Sequence, residues 1–382
     1  MFCSAGDNCA QGAGPVTISR QFLISFASFA ATALLGASCA AIDPESVSDS
    51  ARMTVGTGVP VPAAGETAAV ATQVRDAADD PEIWADPSDP KRGVIFGTDK
   101  QAGLYVYGLD GADRQFLPIG PLNNVDLRDG FQVEGKARVL VGASDRGRAG
   151  IAFFLLDPDS LNVASWGLSP VQVSEPYGFC MGRAGSDTIA VMIGKAGDVR
   201  QFTVTAQAGK PSLALTRSFA VGSQAEGCVI DDATGALYVA EEAKGIWRYA
   251  LDPATGAART LLAGAPSDIL KVDVEGLTLL REGPATYLLA SSQGDSAFAV
   301  WRVDAAPAYA GRFSVTPGAG ADAVTGTDGL AALGGSVGAF PSGLIVVQDD
   351  ADTDGETSSG VRTRQNFKLV DWRAVKAALA IP

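Results

Sequence analysis

Histidine is absent from the 382 residues of the chain, whereas Asp and Glu together number 43. This absence excludes a Ser-His-Asp triad, a histidine-ligated zinc ion and chemistry through phosphohistidine. A catalyst built from this chain must use carboxylates, Lys or Arg, hydroxyl groups or a metal held by oxygen ligands. Hard cations bind carboxylate and carbonyl oxygens, so calcium is the first candidate.

The net charge of the chain argues against nucleic acid as a partner. Lys and Arg number 29, which gives a net charge of −14. Nucleic-acid binding requires a basic face that neutralises phosphates. A chain this acidic is therefore a poor ligand for DNA or RNA. Apolar residues make up 47% of the chain, too many for a disordered protein.

Charged and polar residues recur at matching places along the chain. One set opens short apolar runs and consists of Asp80, Glu175, Glu226, Glu275 and Asp328. A second set follows the first strand of each predicted hairpin and consists of Lys100, Arg146, Lys195, Glu242, Gln293 and Asp349. Charged turn residues are usually only solvated, but recurrence in every repeat favours a site.

The elements that carry these residues repeat with a regular period. The first strands of six predicted hairpins begin at residues 94, 139, 189, 237, 287 and 344, so their spacings are 45, 50, 48, 50 and 57 residues. A β-rich repeat near fifty residues predicts one four-stranded blade per repeat. We therefore predict an all-β fold, a six-bladed β-propeller with four-stranded antiparallel blades.

This fold predicts where the two sets meet. Successive strands of a blade run antiparallel, so the start of the inner strand and the end of the second strand lie at the same rim. The carboxylates should crowd one mouth of the central channel. Two such charges ~5 Å apart repel by roughly 3 kcal/mol at an effective dielectric constant near 20, and bound cations would relieve this.

The cationic members of the second set indicate a further ligand. Lys100, Arg146 and Lys195 are not needed by a metal site alone. Phosphate oxygens accept charge-assisted hydrogen bonds from ammonium and guanidinium groups. Calcium beside Lys and Arg is suited to binding a polyanion and polarising its P–O bond.

Several stretches, in order over residues 70–380, resemble the β-propeller (alkaline) phytases. They are DDPEIW at 79–84, GTDKQAGL at 97–104, LNNVD at 122–126, EPYGF at 175–179, AEGC at 225–228, EEAKGIW at 241–247, VDVEGL at 272–277, SSQG at 291–294, DG at 328–329 and NFK at 366–368.

The resemblance implies a calcium-dependent phosphomonoesterase that acts on inositol hexakisphosphate (phytate), with several calcium ions and direct attack by a calcium-activated water. By matching position it implies that the phosphates are held by Lys100, Arg146, Tyr177 and Lys195. The implied ligands of the catalytic calcium ions are Glu226, Glu242, Asp273, Glu275, Asp322 and Asp328, with Gln293 nearby, and Asp349 is included among the metal residues. Asp79 and Asp80 resemble ligands of a structural calcium ion.

The N-terminal region predicts export. Residues 22–36 form a run of fifteen residues without charge, shorter than the roughly 20 needed to span a membrane, so residues 1–40 are predicted to be a signal peptide. Cys39 is an alternative lipidation site. Residues 41–68 are predicted to be a flexible linker and 69–382 the catalytic propeller. The predicted location is periplasmic or extracellular, where Cys180 and Cys228 either pair as a disulfide or remain buried thiols.

Two other functions fit a propeller. A six-bladed lactonase-type hydrolase also uses carboxylate-bound calcium, but it does not need Lys100, Arg146 and Lys195 on the calcium face. A non-catalytic binding propeller would more readily show an exposed aromatic patch at that rim. No stable protein partner is predicted.

Overall fold

The computed structural model describes residues 56–73, 76–351 and 364–382. These residues form six sheets, each with a four-stranded antiparallel blade of a six-bladed β-propeller, so the predicted fold is confirmed. The inner strand of each blade contacts the inner strand of the next blade, and the sixth contacts the first. The ring is therefore closed around a central channel.

The N-terminal strands come first in the chain and are β1 (Val59–Pro62) and β2 (Gly65–Glu66). Blade 1 contains β3 (Ala78–Asp86), β4 (Asp89–Asp99), β5 (Gly103–Gly108) and β6 (Asp113–Leu117). Blade 2 contains β7 (Leu122–Val133), β8 (Lys136–Asp145), β9 (Gly150–Leu156) and β10 (Val163–Pro170). Blade 3 contains β11 (Pro176–Ala184), β12 (Asp187–Gly194), β13 (Asp198–Gln207) and β14 (Lys210–Ala220).

Blade 4 contains β15 (Ala225–Asp231), β16 (Ala236–Glu241), β17 (Gly245–Ala250) and β18 (Arg259–Gly264). Blade 5 contains β19 (Val274–Glu282), β20 (Ala285–Ser292), β21 (Ala297–Arg302) and β22 (Ala308–Thr316), followed at its outer edge by β1. Blade 6 contains β23 (Leu330–Gly334), β24 (Gly343–Asp349) and β25 (Asn366–Asp371), with β2 as its outermost strand. Short 3-10 turns lie at Pro253–Thr255 and Gln293–Asp295.

The second strand of each blade explains why the repeats are visible in the sequence. These strands are covered by a neighbouring blade on each face, as at Val94, Ile95 and Phe96, which are fully buried. Strands buried on both faces appear as continuous apolar runs rather than as alternating patterns. The outer strand β14 has three consecutive exposed residues, so the outermost strands gave weaker signals.

Residues 59–70 belong to the propeller, which corrects the predicted linker over 41–68. β1 pairs in parallel with β22, and β2 pairs antiparallel with β25. Pro60 and Pro62 lie in this strand, and proline is tolerated on an edge strand, where no partner needs its missing N–H. The predicted signal peptide, Cys39 and residues 41–55 lie outside the described residues.

A buried lysine joins the two ends of the ring. Lys368 on β25 is fully buried, and its Nζ lies 2.7 Å from a carboxylate oxygen of Glu66 on β2. The same Nζ lies 2.5 Å from Asp322 and 2.9 Å from Asp349. These carboxylates outweigh the burial of the ammonium and raise the pKa of Lys368. We refer to Glu66, Asp322, Asp349 and Lys368 as the closure cluster.

The C-terminal helix α1 (Trp372–Leu379) covers the same region of the ring. Asp371 caps it by accepting from the Arg373 N–H. Trp372 and Val375 are buried in the core of blades 5 and 6. In the described part of the chain, no helix has the length and apolar character needed to cross a membrane.

The sequence left the state of two cysteines open, and the structure resolves it. Cys180 on β11 and Cys228 on β15 form a disulfide that connects the inner strands of blades 3 and 4. Cys3, Cys9 and Cys39 lie outside the described residues.

The closure cluster predicts a large stability difference between two lysines. Lys368→Met should lower the free energy of unfolding by about 3–5 kcal/mol, because the two buried aspartates of the closure cluster and its partly exposed glutamate lose their cation. Lys376→Met is the matched control, since Lys376 pairs with Glu282 near the surface and should cost about 0–1 kcal/mol. The measurement is urea denaturation with a chelator present, and equal losses in the two variants would contradict this account of ring closure.

Candidate metal and phosphate site

The inner strands share an irregularity near their first residues. In blades 1 to 5 the inner strand carries one extra residue there, so that two of its residues oppose a single residue of the second strand, which is a β-bulge. The first residues of these bulges are Asp79, Asn123, Tyr177, Glu226 and Glu275. Asp328 occupies the corresponding place just before β23. We refer to these six residues as the mouth ring.

Close backbone packing holds the mouth ring together. The residue after each of the last four members is glycine, and a Cβ on Gly227 would lie 1.9 Å from the carbonyl oxygen of Glu275. A Cβ on Gly178 would likewise lie 2.0 Å from the carbonyl oxygen of Glu226. Only glycine permits this approach, so successive bulges nest against each other and turn their side chains into the channel mouth.

The second strands bring a further set of side chains to the same rim. The residue before each bulge pairs with the last residue of the second strand, as Ala78 does with Asp99 and Ala225 with Glu241. The next residues along the chain are Lys100, Arg146, Lys195, Glu242 and Gln293. The fold therefore places these five side chains beside the mouth ring.

Lys100 is the central cation of the blade 1 side. Its buried Nζ lies 2.7 Å from Asp76, 3.0 Å from Asp79 and 2.9 Å from Asp328. Burial disfavours the charged ammonium, but the carboxylates of Asp328, Asp76 and Asp79 outweigh that effect and raise the pKa of Lys100. One ammonium thus balances only part of the negative charge at the mouth.

An acidic trio lies on the other side of the mouth. One carboxylate oxygen from each of Glu242, Asp273 and Glu275 lies within 4.8 Å of the others, and all three residues are buried. Glu242 Oε1 is buried and has no hydrogen-bond partner among the described residues. Gln293 donates an amide N–H to Glu275 Oε2 at 3.2 Å and another hydrogen bond to Asp328, so it links the trio to the mouth ring.

Crowding of carboxylates raises their pKa values. Burial, followed by the charges of Glu226 and Asp273, raises the pKa of Glu242 to about 9. Burial and the charge of Asp328 raise the pKa of Glu226 to about 7, against the opposing effect of Lys100. Burial and the same neighbours hold the pKa of Glu275 well above its ordinary value. These groups are fully ionised near neutral pH only if further positive charge enters the site.

The arginine and tyrosine at the mouth are connected to the acidic residues. Arg146 donates from Nε to Glu175 at 2.9 Å and from a terminal nitrogen to Asn123 Oδ1 at 3.3 Å. Asn123 in turn donates to Glu226 Oε1 at 2.6 Å. Tyr177 also donates to Glu226, and burial raises the pKa of its phenol, which keeps the donor proton in place.

Lys195 lies on the same side of the mouth. Its Nζ is 5.3 Å from the centre of the Tyr177 ring, a cation–π distance. Its charge also lowers the pKa of Glu242, against the larger effect of burial. A cation, a phenol and carboxylates therefore share one small region.

Three of the predicted metal residues make contacts other than an ion pair with Lys100. Asp80 accepts the backbone N–H of Val125 at 3.0 Å and packs against Gly329, between blades. Asp322 and Asp349 contact Lys368 in the closure cluster. None of these three has a direct ion pair with Lys100 among the described residues.

Four residues of these clusters were missed in the sequence. Asn123 lies within the quoted motif LNNVD and Asp76 lies three residues before the motif DDPEIW, so both positions were available signals. Glu66 was assigned to the linker, and Lys368 was taken only as part of a motif. Their contacts depend on pairing between the two ends of the chain, more than 300 residues apart, which local patterns do not reveal.

Comparison with known proteins agrees with this geometry. The model of the phytase family, described as "Phytase", matches residues 24–381. The chain is also similar to a "3-phytase" of Bacillus subtilis (strain 168), with 34% identity over 313 residues that cover 78% of this chain and 80% of that protein. The chain therefore belongs to the phytase family.

Proposed function

We propose that the mouth ring and acidic trio bind calcium ions beside the phosphate groups of phytate, which the protein hydrolyses as a calcium-dependent phytase. Membership of the phytase family makes the chain a phosphoric monoester hydrolase. The observation that carries the proposal is the meeting of crowded carboxylates with Lys100, Arg146 and Lys195 at one rim.

The donor set supports calcium as the ion. The chain has no histidine, and the mouth provides carboxylate and amide oxygens, which suit a hard cation. The buried Glu242 Oε1 has no hydrogen-bond partner in the described part of the chain, and a bound cation would give it a partner. The proposed ligands are Glu226, Glu242, Asp273, Glu275, Gln293 and Asp328. Bound calcium would neutralise phosphate charge and make water a better nucleophile.

The proposed phosphate-binding residues act differently from one another. The planar guanidinium of Arg146 suits two phosphate oxygens, and Asn123 and Glu175 fix its orientation. Lys195 adds a point charge beside Tyr177. The phenol of Tyr177 would donate a hydrogen bond to a phosphate oxygen that gains negative charge during hydrolysis. Lys100 is only 7% exposed and holds three carboxylates, so contact with phosphate requires it to exchange one of them.

We propose a mainly structural role for the remaining acidic residues. Asp322 and Asp349 neutralise Lys368 and so stabilise ring closure. Asp79 balances Lys100, and the earlier prediction of a structural calcium ion at Asp79 and Asp80 stays a proposal.

We also propose that the protein is exported to the periplasm or the extracellular medium. The Cys180–Cys228 disulfide supports this, because such bonds persist in oxidising compartments. Lipidation at Cys39 and the absence of a stable protein partner remain predictions.

The proposal predicts calcium-dependent release of phosphate from phytate. EGTA should abolish release, because the phosphates and carboxylates would then repel, and excess calcium should restore it. The measurement is free phosphate over time with purified protein. Undiminished release in EGTA would contradict a calcium mechanism, and no release with calcium would contradict the substrate.

Adjacent glutamates provide a matched pair of variants. Glu242→Gln should weaken calcium binding by at least about tenfold, since it removes a charged ligand. Glu241→Gln is the control, because the Glu241 carboxylate accepts from Ser223 at 2.5 Å and Trp247 at 2.7 Å instead of facing the trio. It should lower thermal stability but leave calcium affinity unchanged. Equal calcium affinities by calorimetry in both variants would show that the trio is not the ion site.

The raised pKa values predict how stability depends on pH. Without calcium, the folded pKa values of Glu226 and Glu242, about 7 and about 9, exceed the ordinary 4.5, so the folded state binds more protons between these limits. Stability of the metal-free protein should therefore fall as pH rises from about 5 to about 8.

Calcium should reverse this trend, because it binds the ionised carboxylates and displaces their protons. The gain in melting temperature on adding calcium should be small at about pH 5 and larger at about pH 8, and phosphate release should decline in acid. The measurement is thermal denaturation with calcium or EGTA across this range. A calcium shift of equal size at both ends would argue against carboxylate ligands with raised pKa values.

A further inference from the structure

We propose that the Cys180–Cys228 disulfide positions Tyr177 and Glu226 for calcium binding, and does so at the junction between blades where, among the described residues, no backbone N–H donates across at the level of the disulfide. This inference rests on the proposed calcium function. The two cysteines are positioning residues, since neither touches the ion or the substrate.

The disulfide lies directly below the bulges that carry the site. Cys228 is the first residue of β15 to regain its ladder partner, Val239, after the bulge that contains Glu226. Cys180 pairs with Val191 and is the second residue after the corresponding bulge on β11, which contains Tyr177. Bulged residues lie outside the regular ladder, so the ladder alone fixes these two side chains poorly.

Five of the six junctions between blades have another connection at this level. Blades 1 and 2 are joined by the Val125 N–H to Asp80 at 3.0 Å, and blades 2 and 3 by the Met181 N–H to Asp126 at 2.7 Å. The remaining three junctions each have a backbone hydrogen bond of 3.1 Å. Val274 N–H donates to Glu242 O between blades 4 and 5, and Gly276 N–H donates to Asp328 O between blades 5 and 6. Gly329 N–H donates to Asp79 O between blades 6 and 1.

Blades 3 and 4 differ. Among the described residues, the backbone N–H that crosses this junction is that of Arg183, which donates to Asp232 towards the opposite end of the strands. Near the mouth, the side chain of Gln224 contacts the Tyr177 hydroxyl only at 3.5 Å. The hydrogen bond from Tyr177 to Glu226 also crosses this junction, but it is the contact whose geometry the disulfide is proposed to fix. The disulfide, with 5.7 Å between its Cα atoms, provides the link that the other junctions obtain from the backbone.

Reduction removes the bond without a substitution. Cys228 borders a cavity of about 290 Å³ in the channel, the side from which a small reagent would approach the sulfur. Dithiothreitol would reduce the disulfide to two cysteine thiols and would itself be oxidised to its cyclic disulfide, so electrons and protons balance.

The experiment compares calcium binding by isothermal titration calorimetry in the oxidised protein, the protein reduced with dithiothreitol, and the variant Cys180→Ala/Cys228→Ala. Loss of the bond should weaken calcium binding about tenfold, the lower range for loss of a supporting contact at a metal site. The calcium concentration for half-maximal phosphate release should rise in parallel. Dithiothreitol should have no effect on the double variant.

Val191→Ala provides a control for general destabilisation. Val191 is buried in the same core and pairs with Cys180, so its truncation should lower the melting temperature while the disulfide remains. Its calcium affinity should equal that of the unmodified protein. A merely structural role would instead make calcium affinity follow the melting temperature in all variants.

Each other outcome overturns the inference. Unchanged calcium affinity, with reduction verified by thiol titration, would show that the bond does not position the site. Unfolding of both the reduced protein and the double variant would show that it holds the fold instead. If the oxidised protein binds no calcium, the proposed function fails together with the inference.

Discussion

Negative charge that is confined at one end of a closed ring is the constraint on which the site depends. The mouth ring draws its carboxylates from different blades, and none can retreat without opening the packing between neighbouring bulges. Water reaches these buried groups poorly, so their repulsion is strong and their pKa values rise. The fold thus holds the carboxylates in an arrangement that favours cation binding, and their mutual repulsion lowers the stability of the folded protein.

Each of the two buried lysines balances a group of carboxylates, but at a different place in the ring. Lys368 is surrounded by three carboxylates and closes the ring, whereas Lys100 is surrounded by three others at the mouth. In the acidic trio, Glu242 Oε1 has no hydrogen-bond partner among the described residues, which indicates where added positive charge is needed most. Internal cations thus stabilise the frame, while the trio is suited to an external ion.

Sequence patterns predicted the blades because second strands are buried on both faces, as the run Val94–Phe96 illustrates. They also predicted the convergence of strand ends, since antiparallel pairing determines which ends share a rim. The bulges were not predicted, because an extra residue leaves the apolar pattern on either side intact. Glu242 rather than Glu241 was selected from its position after the second strand, and the contacts of Glu241 with Ser223 and Trp247, which only coordinates reveal, are consistent with that choice.

Completion of blade 6 has a consequence for how the protein is made. Its outermost strand, β2, precedes all six blades along the chain, whereas its partner, β25, belongs to the sixth, so Glu66 and Lys368 are separated by 302 residues. A ribosome must therefore translate all the intervening strands before this blade can acquire its fourth strand. Closure of the ring through the Glu66–Lys368 contact is thus a step that follows synthesis of the other five blades.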